Sequence, residues 1–401
     1  MIGALAPAPG AALDEAALAA ALAPVVDAAV LAATPQDATW HAEGDVWLHT
    51  RMALEALVAL PAYAAATPAA RALLFAAVLL HDVGKPATTR VDADGRITSR
   101  GHSAHGERLV RAALYQAGAP FALREHLCAL VRSHQVPFFG VELAPAEAAR
   151  RAIRLALVTR NDWLATVAAA DALGRRTADP ADRTRLVEHC ALWREVAADA
   201  GCLDGPRPFA DAHSRAVYLD DERGTRAPEV PAFDDTVAEA VILSGLPAAG
   251  KSAWLAAHPE LAVVSLDGLR AELDVDPADG QGAVIAAARE RAREHLRAGR
   301  PFAWDATTLG RDLRRALVGL CRDYRFRAHI VYCEVPAAEQ RRRNRARPAD
   351  RVVPERALAR MLDRWSVPSP DEAHAVTYVV GDGGSYGAAV GSADVSWPPA
   401  G

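Results

Sequence analysis

The sequence predicts two unlike domains on one chain, an all-α domain followed by an α/β domain with a parallel sheet. Up to about residue 195, apolar side chains recur at the spacing of helices. After about residue 236, short and partly β-branched apolar runs alternate with helical patterns, which is typical of a parallel α/β sheet. A length of 401 residues exceeds that of one ordinary domain, so each half is expected to bury its own core.

The helical prediction for the first domain, residues 1–200, rests on the spacing of its apolar positions. Leu54, Leu57 and Leu60 lie three residues apart, and no convincing run alternates apolar with polar residues as a half-buried strand would. The strongest apolar run, at residues 72–80, is expected to be buried.

Residues 201–236 are predicted to be a linker, because prolines, glycines and the charged stretch 220–224 interrupt every pattern. The second domain follows at 237–380. Residues 381–401, mostly Gly, Ser, Ala and Pro, are predicted to form a disordered tail. Five apolar runs predict the strands of the sheet: 240–243, 262–266, 302–305, 329–333 and 375–380.

Membrane and secretory segments are not expected. The apolar run at 72–80 is far shorter than the roughly 20 residues of a membrane helix. The N-terminus lacks a basic start and carries Asp14 and Glu15, which argues against a secretory signal. The five cysteines show neither paired nor zinc-type spacing, so they are expected to be reduced thiols. The sequence therefore predicts a cytoplasmic protein.

The basic residues are distributed unevenly by type. Only two of the 45 are lysines, Lys85 and Lys251, and each lies in a motif that suits phosphate. Lysine is a compact point charge that a planar guanidinium does not replace, so two phosphate sites are predicted. The net charge of −5 provides no overall attraction for nucleic acid, which would need a local cluster such as the arginines around Arg343.

The octet 245–252, Gly-Leu-Pro-Ala-Ala-Gly-Lys-Ser, matches the P-loop pattern between an apolar strand and a helical run. Gly245 and Gly250 let backbone N–H groups surround phosphates, Lys251 neutralises them, and Ser252 is a predicted Mg²⁺ ligand. ATP and Mg²⁺ are the predicted cofactors of this half. The alternative is a chance glycine-rich turn.

Three features downstream indicate phosphoryl transfer. Asp267 and Arg270 share one face at the start of a helix, where Asp267 could accept a hydroxyl proton while Arg270 binds a phosphate. Asp305 ends the next strand as a second carboxylate near Mg²⁺. The arginine-rich run 341–347 suits a lid over ATP. The alternatives are a helix cap with a surface arginine and a solvated helix face.

Histidines concentrate in the first domain, where His81 and Asp82 are adjacent. Neighbouring helix residues diverge by about 100°, so they share a cation only if other helices supply ligands. His49 and Asp171 are the predicted additional ligands. Imidazole and carboxylate ligands suit Mn, Fe, Co, Ni or Zn, and a carboxylate such as Asp82 can bridge two ions.

A second ion in the first domain would need further histidines. His102 and His134 are the candidates, with His105 as an alternative to His102. The other histidines, His41 and His126 among them, are expected to be structural. Lys85, three residues after Asp82, is predicted to hold the substrate phosphate.

Each half resembles a known family. Residues 237–380 resemble the phage-type polynucleotide 5′-kinase through the P-loop, the Asp267/Arg270 pair, the end of the strand at Asp305 and the arginine-rich lid. This resemblance implies Asp267 as general base, Arg270 on the acceptor phosphate, and Arg343 and Arg347 on ATP. Small-molecule kinases share parts of the pattern.

Residues 40–200 resemble the HD phosphohydrolase superfamily through His49, the His81-Asp82 pair, Lys85 and Asp171. The segments around His102 and His134 look like those that bind a second metal in that superfamily. The resemblance implies a divalent transition metal such as Mn²⁺, Ni²⁺ or Co²⁺, and a metal-activated water that attacks phosphorus.

The order of the two domains resembles the bacterial HD-Pnk family of end-healing enzymes. That resemblance implies removal of a 3′-phosphate or 2′,3′-cyclic phosphate by the first domain and phosphorylation of a 5′-OH end by the second. RNA or DNA ends would be the substrate, and a separate ligase would act downstream. The sequence does not decide between RNA and DNA, or whether the protein is a homodimer.

Two other functions fit the same motifs. One is a nucleotide-metabolism enzyme that combines an HD nucleotidase with a small-molecule kinase. The other is a nucleotide-sensing regulator whose P-loop binds ATP without turnover. Arg270 and the arginine-rich lid favour the kinase over both.

Overall fold

The computed structural model describes residues 6–221, 223–276 and 280–381. The chain forms two compact units that divide between Pro208 and Phe209. The predicted tail lies outside the described residues, except for Gly381. In the part of the chain that is described, no helix is long and apolar enough to cross a membrane. All five cysteines are buried free thiols.

Among the described residues, the first unit consists of helices and one small hairpin, which the sequence did not predict. The hairpin strands β1 and β2 are two residues long and antiparallel. The elements are α1 (Glu15–Leu22), α2 (Ala28–Ala32), α3 (Val46–Ala59), α4 (Pro61–Ala65), α5 (Pro68–Leu80), α6 (Lys85–Thr88), β1 (Arg90–Val91), β2 (Ile97–Thr98), α7 (His102–Gln116), α8 (Phe121–Ser133), α9 (Val136–Gly140), α10 (Pro145–Ala156), α11 (Asn161–Leu173) and α12 (Pro180–Asp199).

Side-chain caps fix where several of these helices begin. Asp45 accepts a hydrogen bond from the backbone N–H of Leu48 at 2.9 Å and starts α3. Thr67 caps α5 in the same way and is followed by Pro68, a residue suited to the first helical position. These caps set the starting points of the helix that carries His49 and of the helix that leads to His81.

Helix α5 is the centre of the first unit. Every residue of 73–80 is buried, because α5 packs against α3, α8 and α11 on different sides. A helix that is apolar on all sides belongs in a core. The chain leaves this helix at His81, so the core itself receives the His81-Asp82 pair.

The second unit is an α/β fold with a parallel five-stranded sheet in the order β4-β5-β3-β6-β7. Its elements are α13 (Ala212–Asp220), β3 (Ala238–Ser244), α14 (Lys251–Ala256), β4 (Ala262–Ser265), α15 (Leu266–Leu273), α16 (Gly282–Arg297), β5 (Phe302–Asp305), α17 (Arg311–Asp323), β6 (Phe326–Glu334), α18 (Ala337–Arg345), a 3₁₀ turn (Ala349–Arg351), α19 (Glu355–Asp363) and β7 (Ala375–Val380).

The fold class is confirmed, and all five predicted strands are present, β5 and β7 with the predicted bounds and β3, β4 and β6 with shifted ends. Strand β6 begins three residues before the predicted position, because β3 pairs with it from Ala238↔Phe326 onwards. Strand β3 is central, with β5 on one side and β6 on the other. Ligands of such sheets bind outside the carboxyl end at the point where the strand order reverses, which is where β3 ends.

The prediction that residues 201–236 form a linker is wrong in part. It contains helix α13, whose cap Asp211 accepts a hydrogen bond from the backbone N–H of Ser214 at 2.6 Å. Tyr218 and Leu219 of this helix are buried. The charged residues that follow suggested an irregular segment, but the apolar face of α13 gives most of the predicted linker a place in the second unit.

Candidate metal centre and phosphate-binding loop

Six of the predicted ligands in the first unit come together in its core. They come from several helical segments, and each residue is at least nine-tenths buried. They are His49 in α3, His81 and Asp82 after α5, His102 at the start of α7, His134 after α8, and Asp171 in α11. We call these six residues the core cluster.

One side of the core cluster contains both carboxylates. His49 Nε2 lies 3.1 Å from Asp171 Oδ1 and 3.7 Å from Asp82 Oδ2. His81 Nε2 lies 3.1 Å from the same Asp82 oxygen and 3.3 Å from His49 Nε2. Four side chains from three helical segments therefore converge as the sequence predicted.

The second oxygen of Asp82 faces the other side of the core cluster. Asp82 Oδ1 lies 3.3 Å from His102 Nε2 and 3.9 Å from His134 Nε2, and these two nitrogens are 3.4 Å apart. Asp82 thus stands between two histidine pairs, as a carboxylate that bridges two ions would. Of the two predicted alternatives, His102 is in the cluster, whereas His105 lies with its Nδ1 3.5 Å from Arg108 Nη2.

Hydrogen bonds fix which ring nitrogens face the centre. Three histidines donate from Nδ1 to backbone carbonyls at 2.7–2.8 Å: His81 to Val78, His102 to Ser99 and His134 to Val131. In their neutral form these rings direct the Nε2 lone pair inward. Asp82 Oδ1 is buried and has no hydrogen-bond partner. Converging lone pairs and an unpartnered carboxylate oxygen are a donor set that a divalent cation fits.

Electrostatics favour the ligand forms of two of these side chains. Burial opposes ionisation of Asp82, but the charges of His81 and Lys85 outweigh it and hold its pKa well below the usual value. Burial lowers the pKa of His134 to about 3, so this ring is neutral at pH 7. Ionised carboxylates and neutral imidazoles are the forms that bind metals.

Arg175 was not among the predicted site residues, although it touches one of them. It donates to both oxygens of Asp171, from Nε at 2.9 Å and from Nη2 at 2.8 Å. This bidentate pair fixes the rotation of the carboxylate. Arg175 comes four residues after Asp171 in the sequence, and this helical spacing is the signal that could have identified it.

Glu43 is a second residue that the sequence analysis missed. Its Oε1 accepts a hydrogen bond from His41 Nδ1 at 2.8 Å and lies 3.0 Å from His49 Nδ1, and its Oε2 accepts one from the backbone N–H of Arg176 at 2.8 Å. Burial opposes ionisation of Glu43, but its contacts with both histidines outweigh it and lower its pKa. Glu43 therefore orients the His49 ring through its Nδ1 side, away from the core cluster. No local sequence pattern predicts this contact.

Replacing Glu43 with glutamine is expected to weaken metal binding about 10- to 100-fold, because outer partners of ligating histidines contribute effects of that size. The measurement is calorimetric titration of the metal-stripped protein with Mn²⁺. Glu55→Gln, which alters an exposed charge on α3, should keep the affinity of the wild type. Equal affinities for Glu43→Gln and wild type would show that Glu43 does not hold His49.

A cavity of about 470 Å³ opens beside the core cluster. Lys85 lies on its wall, with Nζ 2.7 Å from Asp82 Oδ2 and donating to Gln36 Oε1 at 2.5 Å. Five cations and two carboxylates line the cavity: Lys85, Arg100, Arg132, Arg175 and Arg185, with Asp37 and Glu142. The lining therefore favours an anionic ligand next to the cluster.

The loop between β3 and α14 has the backbone that its glycines predict. Gly245 has φ 140° and Gly250 has φ 114°. A Cβ at Gly245 would lie 2.3 Å from the carbonyl oxygen of Cys333, so a larger residue does not fit there. Lys251 Nζ donates to the carbonyl oxygens of Gly245 at 2.8 Å and Leu246 at 2.9 Å. Strand, loop and helix thus have the arrangement of a phosphate-binding loop.

Asp305 and Ser252 lie at the carboxyl edge of the sheet. Asp305 ends β5, beside β3, and its Oδ2 accepts a hydrogen bond from Ser265 Oγ at 3.2 Å. Burial raises the pKa of Asp305, and the charge of Lys251 opposes that rise. Ser252 is exposed on the first turn of α14. Both side chains therefore occupy the edge at which a P-loop binds its nucleotide.

Asp267 and Arg270 pair with each other on α15. The side chain of Asp267 is 80% exposed, so its surroundings are open to a large acceptor. Arg270 Nε also donates to Gln281 Oε1 at 2.6 Å. Burial lowers the pKa of Lys251, while the charges of Asp305 and Asp267 oppose this effect, which places both carboxylates within electrostatic reach of the ammonium.

The arginine-rich helix α18 contacts the phosphate loop through an uncharged residue that the sequence analysis missed. Gln340 is buried, and its Nε2 donates to the carbonyl oxygen of Pro247 at 2.8 Å. Asn344 makes two hydrogen bonds with the backbone of Val353, at 2.8 and 3.1 Å. Gln340 thus ties α18 to the loop, while Asn344 ties it to the segment that follows α18.

The two predicted ATP-contacting arginines of this region are placed differently. Arg347 contributes a positive charge that lowers the pKa of Lys251, so it lies near the loop. Arg343 Nε donates to Glu339 Oε1 at 2.5 Å on its own helix. Glu339 therefore already engages one face of the Arg343 guanidinium.

Comparisons with protein families match both halves of the chain. Residues 46–174 match the HD domain and residues 241–368 match the AAA domain. The first range contains the whole core cluster, and the second contains the phosphate loop, Asp267, Arg270, Asp305 and the arginines of α18. The chain thus contains an HD domain followed by an α/β domain that carries a P-loop and matches the AAA domain.

Two curated relatives match part of the chain. A CC-adding tRNA nucleotidyltransferase of Thermus thermophilus is 36% identical over 104 residues, which are 25% of this chain and 22% of the relative. A multifunctional CCA protein of Halorhodospira halophila is 38% identical over 133 residues, 33% of this chain and 29% of the relative. The chain therefore spans less than a third of the length of either relative.

A solved structure from Chloroflexus aurantiacus, itself assigned only provisionally as a kinase, aligns with 34% of this chain and 80% of its own length. Its sequence is 18% identical and the TM-score is 0.29.

Proposed function

We propose that this protein is a bifunctional nucleic-acid end-healing enzyme of the HD-Pnk type. Its first domain removes a 2′,3′-cyclic phosphate or 3′-phosphate, and its second domain phosphorylates a 5′-OH end with ATP. The observation that carries the proposal is the presence on one chain of a metal-competent cluster beside a cation-lined cavity and a P-loop with an exposed Asp267/Arg270 pair. Cleavage of ribonuclease type leaves these two ends together.

The first domain supplies ligands and a phosphate contact. The core cluster would hold one or two divalent transition metals such as Mn²⁺, Ni²⁺ or Co²⁺, which when bound activate water as a nucleophile and polarise the phosphoryl group. Lys85 stands where the cluster meets the cavity and donates a charged hydrogen bond to a phosphate oxygen. Glu43 and Arg175 hold His49 and Asp171 in orientation.

The second domain transfers the phosphoryl group. Lys251 and the loop N–H groups bind the ATP phosphates, while Ser252 and Asp305 are placed to hold Mg²⁺. Asp267 accepts the proton of the 5′-hydroxyl, and Arg270 binds the phosphate next to that end. The 80% exposure of the Asp267 side chain suits a polynucleotide, since an enclosed pocket would admit only a small acceptor.

The relatives of the first domain support a nucleic-acid substrate. One is named as a CC-adding tRNA nucleotidyltransferase and the other as a multifunctional CCA protein. An HD domain with this kinship suits RNA ends better than a free nucleotide. A separate ligase would then join the ends that this protein prepares.

Asp267→Asn is expected to lower the rate of 5′-phosphorylation at least about 100-fold, the usual contribution of a general base, while ATP binding persists. The isosteric amide keeps the shape of the site but accepts no proton. Single-turnover transfer and ATP affinity are measured separately. Asp274→Asn, at the end of the same helix, is the matched control and should transfer normally. Normal transfer by Asp267→Asn would remove this residue from the base role.

The proposal as a whole is tested with an RNA oligonucleotide that carries 5′-OH and 2′,3′-cyclic phosphate ends. The protein, ATP, Mg²⁺ and Mn²⁺ are added, and mass spectrometry follows both ends. Changes at both ends are expected. A change only at the 5′ end would favour a nucleotidase function for the first domain. No change at either end would favour the small-molecule kinase or the nucleotide-sensing regulator.

A further inference from the structure

The cavity beside the core cluster has two exposed aromatic rings that phosphate chemistry does not require. Trp40 is 37% exposed and Phe139 is 58% exposed, and both line the cavity. They come from separate segments, the chain before α3 and helix α9. Large apolar rings left in contact with solvent beside a polar site are typical of ligand contacts.

The packing of α9 explains why Phe139 faces the cavity. Its neighbour Phe138 is 1% exposed and packs in a cluster with Leu186 and Cys190. A Cβ at Gly140 would lie 2.5 Å from Cζ3 of Trp193, so the backbone of α9 is pressed against α12. Phe138 thus fills the core and leaves Phe139 on the open side of a fixed helix.

The cations of the cavity differ in how firmly they are held. The side chains of Arg132 and Arg185 are 54% and 52% exposed. Arg132 Nε lies 3.5 Å from Glu107, and Arg185 Nη2 lies 2.9 Å from Asp182. Exposed ion pairs of this kind contribute little free energy, so both arginines can exchange their partner for a phosphate. Lys85, by contrast, is buried against Asp82.

We propose that this cavity is the binding site for a single-stranded 3′ end, in which the terminal base stacks on Phe139 and Trp40. The terminal phosphate points to Lys85, and Arg132 and Arg185 contact the phosphates of preceding nucleotides. A base can stack on a protein ring only when it is unstacked from its neighbours, which selects single strands. The proposal rests on the proposed function of the first domain and names the residues that recognise its substrate.

The test uses an RNA hexamer with 2-aminopurine as its 3′-terminal base, a base whose fluorescence is quenched when it stacks. A 3′-OH end, the reaction product, prevents turnover, so the metal-loaded protein can be titrated at equilibrium. Phe139→Ala and Trp40→Ala are each expected to weaken binding roughly tenfold and to reduce the quenching, because one stacked base contributes about that much. Phe139→Trp should keep both signals.

Two controls separate stacking from general damage. Leu123→Ala removes a side chain of α8 that is 50% exposed and does not line the cavity, and it should bind as wild type does. A hexamer paired with its complement up to the 3′ end should bind more weakly than the single strand. Unchanged quenching in both Phe139→Ala and Trp40→Ala, or equal binding of adenosine monophosphate and hexamer, would overturn the proposal.

Failure of this proposal can be told from failure of the proposed function. If wild type binds and quenches the hexamer but removes no phosphate from a 2′,3′-cyclic end, the phosphohydrolase function fails while the binding site stands. If both alanine variants remove the phosphate with the KM of the wild type, the phosphohydrolase function is supported and the proposed binding site is excluded.

Discussion

Asp82→Ala is expected to reduce removal of the 3′-terminal phosphate at least about 1,000-fold while 5′-phosphorylation continues at the wild-type rate. Asp82 lies between two histidine pairs, within 3.1–3.9 Å of four imidazole nitrogens, so its loss removes a carboxylate that faces both parts of the core cluster. Losing a metal ligand removes several kcal/mol of transition-state stabilisation. Each activity is measured on its own end-labelled RNA.

The control for this variant must exclude unfolding, because Asp82 is buried and paired with Lys85. Asp82→Asn keeps the volume and should also lose activity, with metal content by mass spectrometry falling in parallel. Asp199→Ala, an exposed position on α12, should keep both activities. Phosphate removal by folded Asp82→Asn at the wild-type rate would exclude the core cluster as the hydrolytic site.

Lys251→Ala is expected to have the opposite selectivity, with phosphorylation reduced about 1,000-fold and phosphate removal intact. Its ammonium lies within the loop, where it donates hydrogen bonds to the carbonyl oxygens of Gly245 and Leu246. Charge stabilisation of a transferring phosphoryl group is the main source of catalysis in such sites. Single-turnover transfer from ATP to a 5′-OH oligonucleotide measures the loss.

Lys251→Arg tests whether a positive charge alone is sufficient at this position. A planar guanidinium keeps the charge but does not match a compact ammonium held between two carbonyl groups, so this variant is expected to remain impaired. Arg315→Ala, which alters a side chain that is 73% exposed on α17, is the matched control and should transfer normally. Loss of both activities in either Lys251 variant or in Asp82→Ala would argue against independent sites.

Local sequence determined the fold class because each half has its own periodicity. Apolar residues at helical spacing predicted the helical unit, and alternating apolar runs predicted the parallel sheet, both of which are confirmed. The ends of β3 and β6 were less accurate, since β6 begins where it pairs with the first residue of β3 and extends along β7 to Glu334. The linker prediction was wrong at α13. The charged residues next to this helix indicated an irregular segment, although the helix has a short apolar face.

The sequence also identified the residues that the core brings together. The adjacent His81 and Asp82 after an apolar helix, and a P-loop octet between a strand and a helix, are local patterns whose chemistry depends on residue type. The sequence left the choice between His102 and His105 open. The structure places His102 in the core cluster, because the first turn of α7 directs this ring toward Asp82.

Only the tertiary structure revealed the residues that support these sites. Glu43 contacts His49, which is six residues later and in a different segment. Gln340 donates to Pro247, which is 93 residues earlier in the sequence. Phe139 is exposed because its neighbour Phe138 fills the core. Such contacts depend on how helices and loops pack and leave no local periodicity. The sequence by itself therefore determined the fold class and the motif residues of each domain, whereas packing decided which side chains orient those residues and which surface lies beside them.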